Sequence, residues 1–261
     1  MTAGERNGAT GVATAAEGLA GLVSYLRVSV GRRSDDADGW LDCGALVDDP
    51  ERLRTVFLEC GAGRGTEDPQ VAASLFVQAW AFRAAAAALG CWWVGGVVPD
   101  LDPHRCAITL GRHRPNAIDL DGAASGTGHD AAAIGAAVVD HLAPVVDAVR
   151  ATTTVGERLL WGNTAASVAA AARTLDGVIE PADRHRLRAM ATAVLGDSAP
   201  EQLRGLGRFT SGADDAAAEW RWARTNCCLN HQLPERRLCD DCPLDAPPEP
   251  PAPSRHPRDS L

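Results

Sequence analysis

The sequence predicts an α+β fold, predominantly α-helical with a small antiparallel sheet, closed at the C-terminal end by a cysteine knuckle. Three observations carry this. Long segments place apolar residues at helical spacing between Pro, Asp and Gly stops. Short β-rich runs sit between residues 91 and 120. Half of the eight cysteines fall within one stretch, Cys227 and Cys228 followed by Cys239 and Cys242.

The first helix is expected over 15–30, with Leu19, Leu22, Val23 and Leu26 at helical spacing and Gly31 beyond it. Residues 31–45, with Arg32, Arg33, Asp35, Asp36 and Gly39, read as a loop. Asp49-Pro50-Glu51 opens a second helix bearing Leu53, Val56, Phe57 and Cys60. Gly61 to Gly65 ends it. No Gly-Lys-Ser/Thr follows those glycines, so they read as a loop rather than a phosphate cradle.

The clearest helix covers 69–89. Thr66, Asp68 and Pro69 cap its start and Gly90 marks its end. Val71, Leu75, Trp80, Phe82 and an alanine run make it apolar on most sides, so it should be central and buried. Cys91 to Val98 reads as a strand ending at Pro99, with Trp92 and Trp93 as strand packing. Cys106–Leu110 and Ala117–Leu120 are the other two strands, and 121–129 a flexible turn.

Helices are then expected over 131–150, with a break or kink at Pro144, over 155–174 and over 181–195, with a short turn at 199–205. Residues 206–226 lead into the cysteines. Ala246 to Pro253 interleaves proline with alanine and one glutamate, the composition of a disordered tail. The expected organisation is a helical body with its sheet over 1–206, a cysteine-bearing segment over 207–244, and a disordered tail over 245–261.

Composition narrows the function. A net charge of −9 disfavours nucleic acid, whose binding rests on neutralising phosphates. All basic residues are arginine, which reads as coding bias. No run of eighteen apolar residues exists, so no transmembrane segment is expected. The start Met1-Thr2-Ala3-Gly4-Glu5 lacks a signal peptide's basic head and apolar stretch. Many cysteines without an export signal point to reduced thiols and a cytoplasmic address.

Thiolates are soft donors, and four in a short cytosolic segment point to Zn²⁺ or an iron–sulfur cluster. Cys239-Asp240-Asp241-Cys242 can place two sulfurs on one metal from a tight turn. The vicinal pair Cys227-Cys228 is harder to bring to one ion, because successive side chains diverge. A [2Fe–2S] rhomb offers two irons at separate positions and suits such a pair better, which favours a cluster over zinc.

The run Asn226-Cys227-Cys228-Leu229, then Gln232-Leu233-Pro234 and Cys239-Asp240-Asp241-Cys242-Pro243-Leu244, resembles the C-terminal [2Fe–2S] motif of the FhuF-like ferric siderophore reductases. Leu160-Trp161-Gly162-Asn163 resembles a Trp-Gly-Asn segment in the body of that family. The resemblance implies that Cys227, Cys228, Cys239 and Cys242 hold a [2Fe–2S] cluster. It implies a cytoplasmic reductase releasing iron from ferric siderophores, with hydroxamate or similar hard oxygen donors expected. No nucleotide fingerprint is visible, so the electron donor should be a separate flavin, ferredoxin or nicotinamide-linked reductase. Two alternatives remain: a [2Fe–2S] electron carrier or redox sensor that ignores siderophores, and a zinc-stabilised binding module.

Further residues are candidates for tuning the centre or contacting a partner. Trp220 and Trp222 alternate with Arg221 and Arg224 before Cys227, and could shield the centre on one side while presenting arginines on the other. Asp240 and Asp241 should lower its potential, while Arg221, Arg224 and Arg236 should raise it. Arg237 extends the basic run, a solvated face being the plainer reading. His231, inside the cysteine loop, fits a hydrogen-bond donor better than a ligand. Arg112, His113 and Arg114 are places to look for a pocket. Cys43, Cys60, Cys91 and Cys106 are scattered with no paired spacing, and Cys60 and Cys91, in apolar neighbourhoods, read as small buried hydrophobes.

Overall fold

The computed structural model describes residues 3–31, 39–125, 130–210, 220–235 and 237–244, with the backbone alone at 3–9. The centre of the fold is a long helix, α4 (Pro69–Gly95), surrounded by α1 (Ala3–Leu22), α3 (Pro50–Ala62), α5 (Ala131–Thr152) and α6 (Glu157–Asp176). A short α2 (Cys43–Val47) precedes α3, and α7 (Arg184–Leu195) packs on α5 and α6. Asp68 starts α4 by accepting from the amides of Gln70 and Val71, the expected cap with Pro at the first helical position. From Ala84 to Leu89 every side chain is buried, so α4 has no solvent face there, as its composition requires. Both α4 and α5 are long and apolar enough to cross a membrane by length and composition. In this fold 83% and 61% of those stretches are buried against other elements.

The sheet is mixed. Its strand order is β1 (Val28–Val30), β4 (Pro115–Leu120), β3 (Cys106–Leu110), β2 (Trp40–Asp42), antiparallel except that β1 runs parallel to β4. Ile108, Ile118 and Leu120 face the core. The Ser29 hydroxyl donates to the buried Asp119 carboxylate at 2.6 Å, tying the parallel edge. A two-stranded ribbon, β5 (Gly207–Phe209) with β6 (Trp222–Arg224), follows α7.

Several sequence expectations are corrected. Cys91 to Val98 is not a strand: α4 continues to Gly95 and stops at Gly96, whose left-handed φ of 65° lets its amide cap Trp92 O. Gly90 is a contact and not a stop, since a Cβ there would run into the Leu19 side chain. Trp92 and Trp93 therefore sit on helix, with the Arg186 guanidinium over both rings at 5.0 and 5.3 Å. The first helix ends at Leu22 rather than 30, and Val28–Val30 is strand. The expected loop of 31–45 contains β2 and the start of α2, which Asp42 caps by accepting from Ala45 N–H. α5 runs unbroken through Pro144. Residues 32–38, 126–129, 211–219, Arg236 and the tail 245–261 lie outside the described residues, and with them the tail's expected disorder and any placement of Arg236.

Cys43, Cys60, Cys91 and Cys106 are separate and buried, as expected of Cys60 and Cys91. Burial raises the Cys60 and Cys91 thiols to about 11 and about 12, so both stay protonated.

Candidate metal centre and adjoining cleft

The cysteine segment lies across the N-terminal half of α4. Val71 and Leu75 form a small apolar patch with the buried Cys228, and Leu229, Leu233 and Cys239 close over it. Three polar residues of the body pin the segment. The Ser74 hydroxyl donates to Cys228 O at 2.8 Å. Asn163, wholly buried on α6, donates to Ser74 O and Oγ at 2.9 and 2.8 Å. Its Oδ1 accepts from Arg224 Nη2 at 2.7 Å. Arg224 also donates to Gly162 O at 3.3 Å and faces Asp241 at 3.9 Å, while its Nε and Nη1 have no hydrogen-bond acceptor among the described residues.

This arrangement accounts for the Trp-Gly-Asn segment. A Cβ on Gly162 would collide with the Asn226 side-chain amide, so only glycine lets Asn226 close on α6 just before Cys227. The Asn226 Nδ2 then donates to Leu159 O at 3.4 Å.

Two of the four candidate cysteines are brought into direct contact. Cys228 Sγ and Cys239 Sγ are 3.2 Å apart, a little under the roughly 3.8 Å edge of a tetrahedron with metal–sulfur bonds of about 2.3 Å. Cys242 N–H bonds to Cys239 O at 3.0 Å, closing the tight turn expected of the two-residue spacer. Leu229 N–H points at Cys227 Sγ at 3.3 Å and His231 Nδ1 lies 3.2 Å from the same sulfur. The Cys228 thiol is lowered to about 6, chiefly by its hydrogen bond with Cys239 and then by Arg224. Cys239 is raised by the same bond, and burial raises Cys227. Among the described residues no three Cys, His, Asp or Glu side chains converge on one point. The set is a close sulfur pair with Cys227 nearby, electrostatically coupled to Cys228 and Cys242.

Other candidates fall unevenly. Trp220 stacks on Phe209 at 4.1 Å, and Trp222 meets the same ring edge-on at 5.0 Å. Both tryptophans join the main core, with Arg188 over Trp220 at 5.3 Å while it also pairs bidentately with Asp176. Arg224 lies on the same, buried face of β6 as Trp222, because alternate residues of a strand share a face. The expected division of tryptophans from arginines therefore holds for Arg221, which is exposed, and not for Arg224. Arg237 is exposed and pairs with Glu235 at 2.9 Å. His231 stands where a hydrogen-bond donor to sulfur would.

Beside the cysteines opens a cleft of about 410 Å³. Its walls come from distant parts of the chain. Arg64 follows α3, Arg83 and Phe82 lie on α4, Arg114 in the β3–β4 turn, Arg173 on α6 and Trp222 on β6, with Cys239, Asp240 and Asp241 at one side. Of the three residues singled out near the sheet, only Arg114 reaches it. Arg112 and His113 take the left-handed backbone of the turn, φ 51° and 59°, and His113 packs on Gly63. Arg64, Arg83 and Arg173 were not singled out as cleft residues from the sequence. Nothing in their local sequence distinguishes them from surface arginines.

A mostly helical body carries a pinned cysteine segment and, against Cys239, an arginine-lined cleft. Residues 74–203 match the family model described as Ferric iron reductase FhuF-like transporter. The chain belongs to this FhuF-like family. The matched span contains Ser74, Gly162, Asn163 and the arginines of α4 and α6, while the cysteines lie beyond it. No curated protein matches the chain.

Proposed function

We propose that this protein is a cytoplasmic ferric siderophore reductase in which Cys227, Cys228, Cys239 and Cys242 hold a [2Fe–2S] cluster. The single observation carrying the reading is that Cys239 forms part of the wall of the arginine-lined cleft. An acceptor in that cleft would sit against the metal-bearing segment. The donor set fits the group. All four candidate ligands are soft sulfurs, and two of them lie 3.2 Å apart.

When bound, such a cluster supplies one-electron transfer. The chain's own residues do the rest. Thiolates bring negative charge into a half-buried site, and Arg224, 4% exposed, places an unscreened positive charge beside them. Leu229 N–H and His231 are placed to donate to Cys227 sulfur, which stabilises charge there. Asp241 opposes Arg224 in part. Trp222 and Phe82 contribute apolar side chains to the lining of the cleft.

The reaction is the gain of one electron by substrate Fe³⁺, supplied by a separate flavin, ferredoxin or nicotinamide-linked donor. Hard oxygen donors hold Fe²⁺ much less tightly, so reduction frees the metal. Hydroxamate chelates are the expectation from the resemblance, and the charge of the cleft bears on that choice below.

Anaerobically purified or reconstituted protein should be red-brown, bleach with dithionite and recolour on adding a ferric chelate, with Fe²⁺ trapped by a chelating dye. Cys227→Ser or Cys228→Ser should abolish the colour. Colour that does not return with any ferric chelate leaves an electron carrier or sensor. A colourless protein holding one zinc leaves a zinc-stabilised module.

A further inference from the structure

The cleft beside Cys239 carries more positive charge than the fold uses. Arg83 is 2% exposed and tied down, donating to Tyr25 O at 2.8 Å with its guanidinium over the Tyr25 and Phe82 rings. Arg64 donates to Asn230 Oδ1 at 3.2 Å, a neutral partner. Arg114 and Arg173 make no ion pair among the described residues, although both are half-buried. The opposing charges are Asp240, which is exposed, and Asp241, which faces Arg224. Arg64 and Arg83 are both pushed below the usual arginine range, by burial first, and the charge of Arg114 pushes each the same way. Four cations from four separate segments thus line one cleft against two carboxylates, Asp240 and Asp241, with Cys239 in the same wall. Repulsion of this kind costs stability, and a bound anion removes the cost.

We infer that the cleft binds an anionic ferric chelate, one with catecholate or carboxylate oxygen donors, in preference to a hydroxamate. This rests on the reductase reading and names its substrate class. Three hydroxamates neutralise Fe³⁺ and leave an uncharged or cationic complex, which gains nothing from the arginines. Three catecholates leave a trianion, and citrate-type chelates are also anionic. Arg114 and Arg173 are the cations free to meet such a ligand, by paired hydrogen bonds to its oxygens.

The test is equilibrium binding of redox-inert gallium(III) complexes to the full chain by calorimetry, independent of any electron transfer. The probes are the gallium complexes of a tricatecholate, of citrate and of a linear trihydroxamate. At least one anionic complex should bind about tenfold or more tighter than the trihydroxamate at low salt, the advantage shrinking as salt rises. The catecholate and citrate arms show which donor class is preferred. Arg114→Gln with Arg173→Gln should erase that advantage, and Arg173→Lys should restore part of it at unchanged thermal stability. Equal or tighter binding of the trihydroxamate overturns the inference, as does an anionic affinity unmoved by the double substitution. Inorganic phosphate competing as well as the complexes overturns it too, since the cleft would then be a plain anion site. Fe²⁺ release is scored separately. Anionic preference without reduction removes the reductase reading alone, and reduction without anionic preference removes the present inference alone.

Discussion

Asn163→Ala tests whether the body of the protein holds the cysteine segment. The substitution removes the acceptor of the 2.7 Å bond from Arg224 and both donations to Ser74. A hydrogen bond to a charged group contributes about 1.5–3 kcal/mol, and a neutral one about 1 kcal/mol. Arg224 would keep only Gly162 O at 3.3 Å and Asp241 at 3.9 Å. The expected loss is therefore about 3.5–5 kcal/mol, a large part of the roughly 5–15 kcal/mol that holds a domain together. Urea unfolding followed by circular dichroism and tryptophan fluorescence measures it. Because the two side chains are in contact, Asn163→Ala and Arg224→Met should couple: the double variant should lose at least about 1 kcal/mol less than the sum of the singles. A loss below about 1 kcal/mol for Asn163→Ala, or strict additivity in the cycle, would refute the view that this buried pair anchors the segment.

Gly162→Ala sets two effects against each other. The helix gains about 1 kcal/mol from alanine, while Asn226 must swing away and lose its bond to Leu159 O, worth about 1 kcal/mol. Global stability should stay within about 1 kcal/mol, yet iron and sulfide loading of the reconstituted protein should fall, and Asn226→Gly should restore it; normal loading in the single variant contradicts this role. Acid should weaken the fold through His141, whose folded value is lowered to about 4 by burial. Trp80 donates to its Nε2 at 2.8 Å, leaving Nδ1 to Leu101 O and no place for a second proton. Its ordinary value is 6.5, so the unfolded chain binds the extra proton first. Stability is full above that value, falls as pH drops toward 4, and loses about 2 kcal/mol between pH 7 and pH 5 from this residue. Urea unfolding at the two pH values checks it, with His141→Phe expected to flatten the slope.

The elements with one dominant signal were legible in the sequence. α4 announces itself by Asp68-Pro69 and an uninterrupted apolar composition, and β3 and β4 by their β-branched runs. The cysteine quartet is legible from spacing alone. What failed turned on contacts between remote segments. Gly90 has the local chemistry of a helix stop, but Leu19 packs where its side chain would be, so the helix passes through. Val28–Val30 continues the apolar period of α1, and only pairing with β4 makes it strand. Arg224 could be placed beside the cysteines from sequence, yet its burial depends on Asn163, sixty-one residues earlier. The cleft was invisible for the same reason, since its arginines meet only after four segments have been folded together.

Ser74 and Asn163 find their partners in protein atoms alone, and so does Nη2 of Arg224. The Ser74–Asn163 pair under the thiols is thus satisfied without the inorganic core the segment is proposed to carry. Oxidative loss of that core would leave the body's hold on the segment in place rather than unravel the molecule. Such damage calls for reloading with iron and sulfide, while the polypeptide keeps its shape in the meantime.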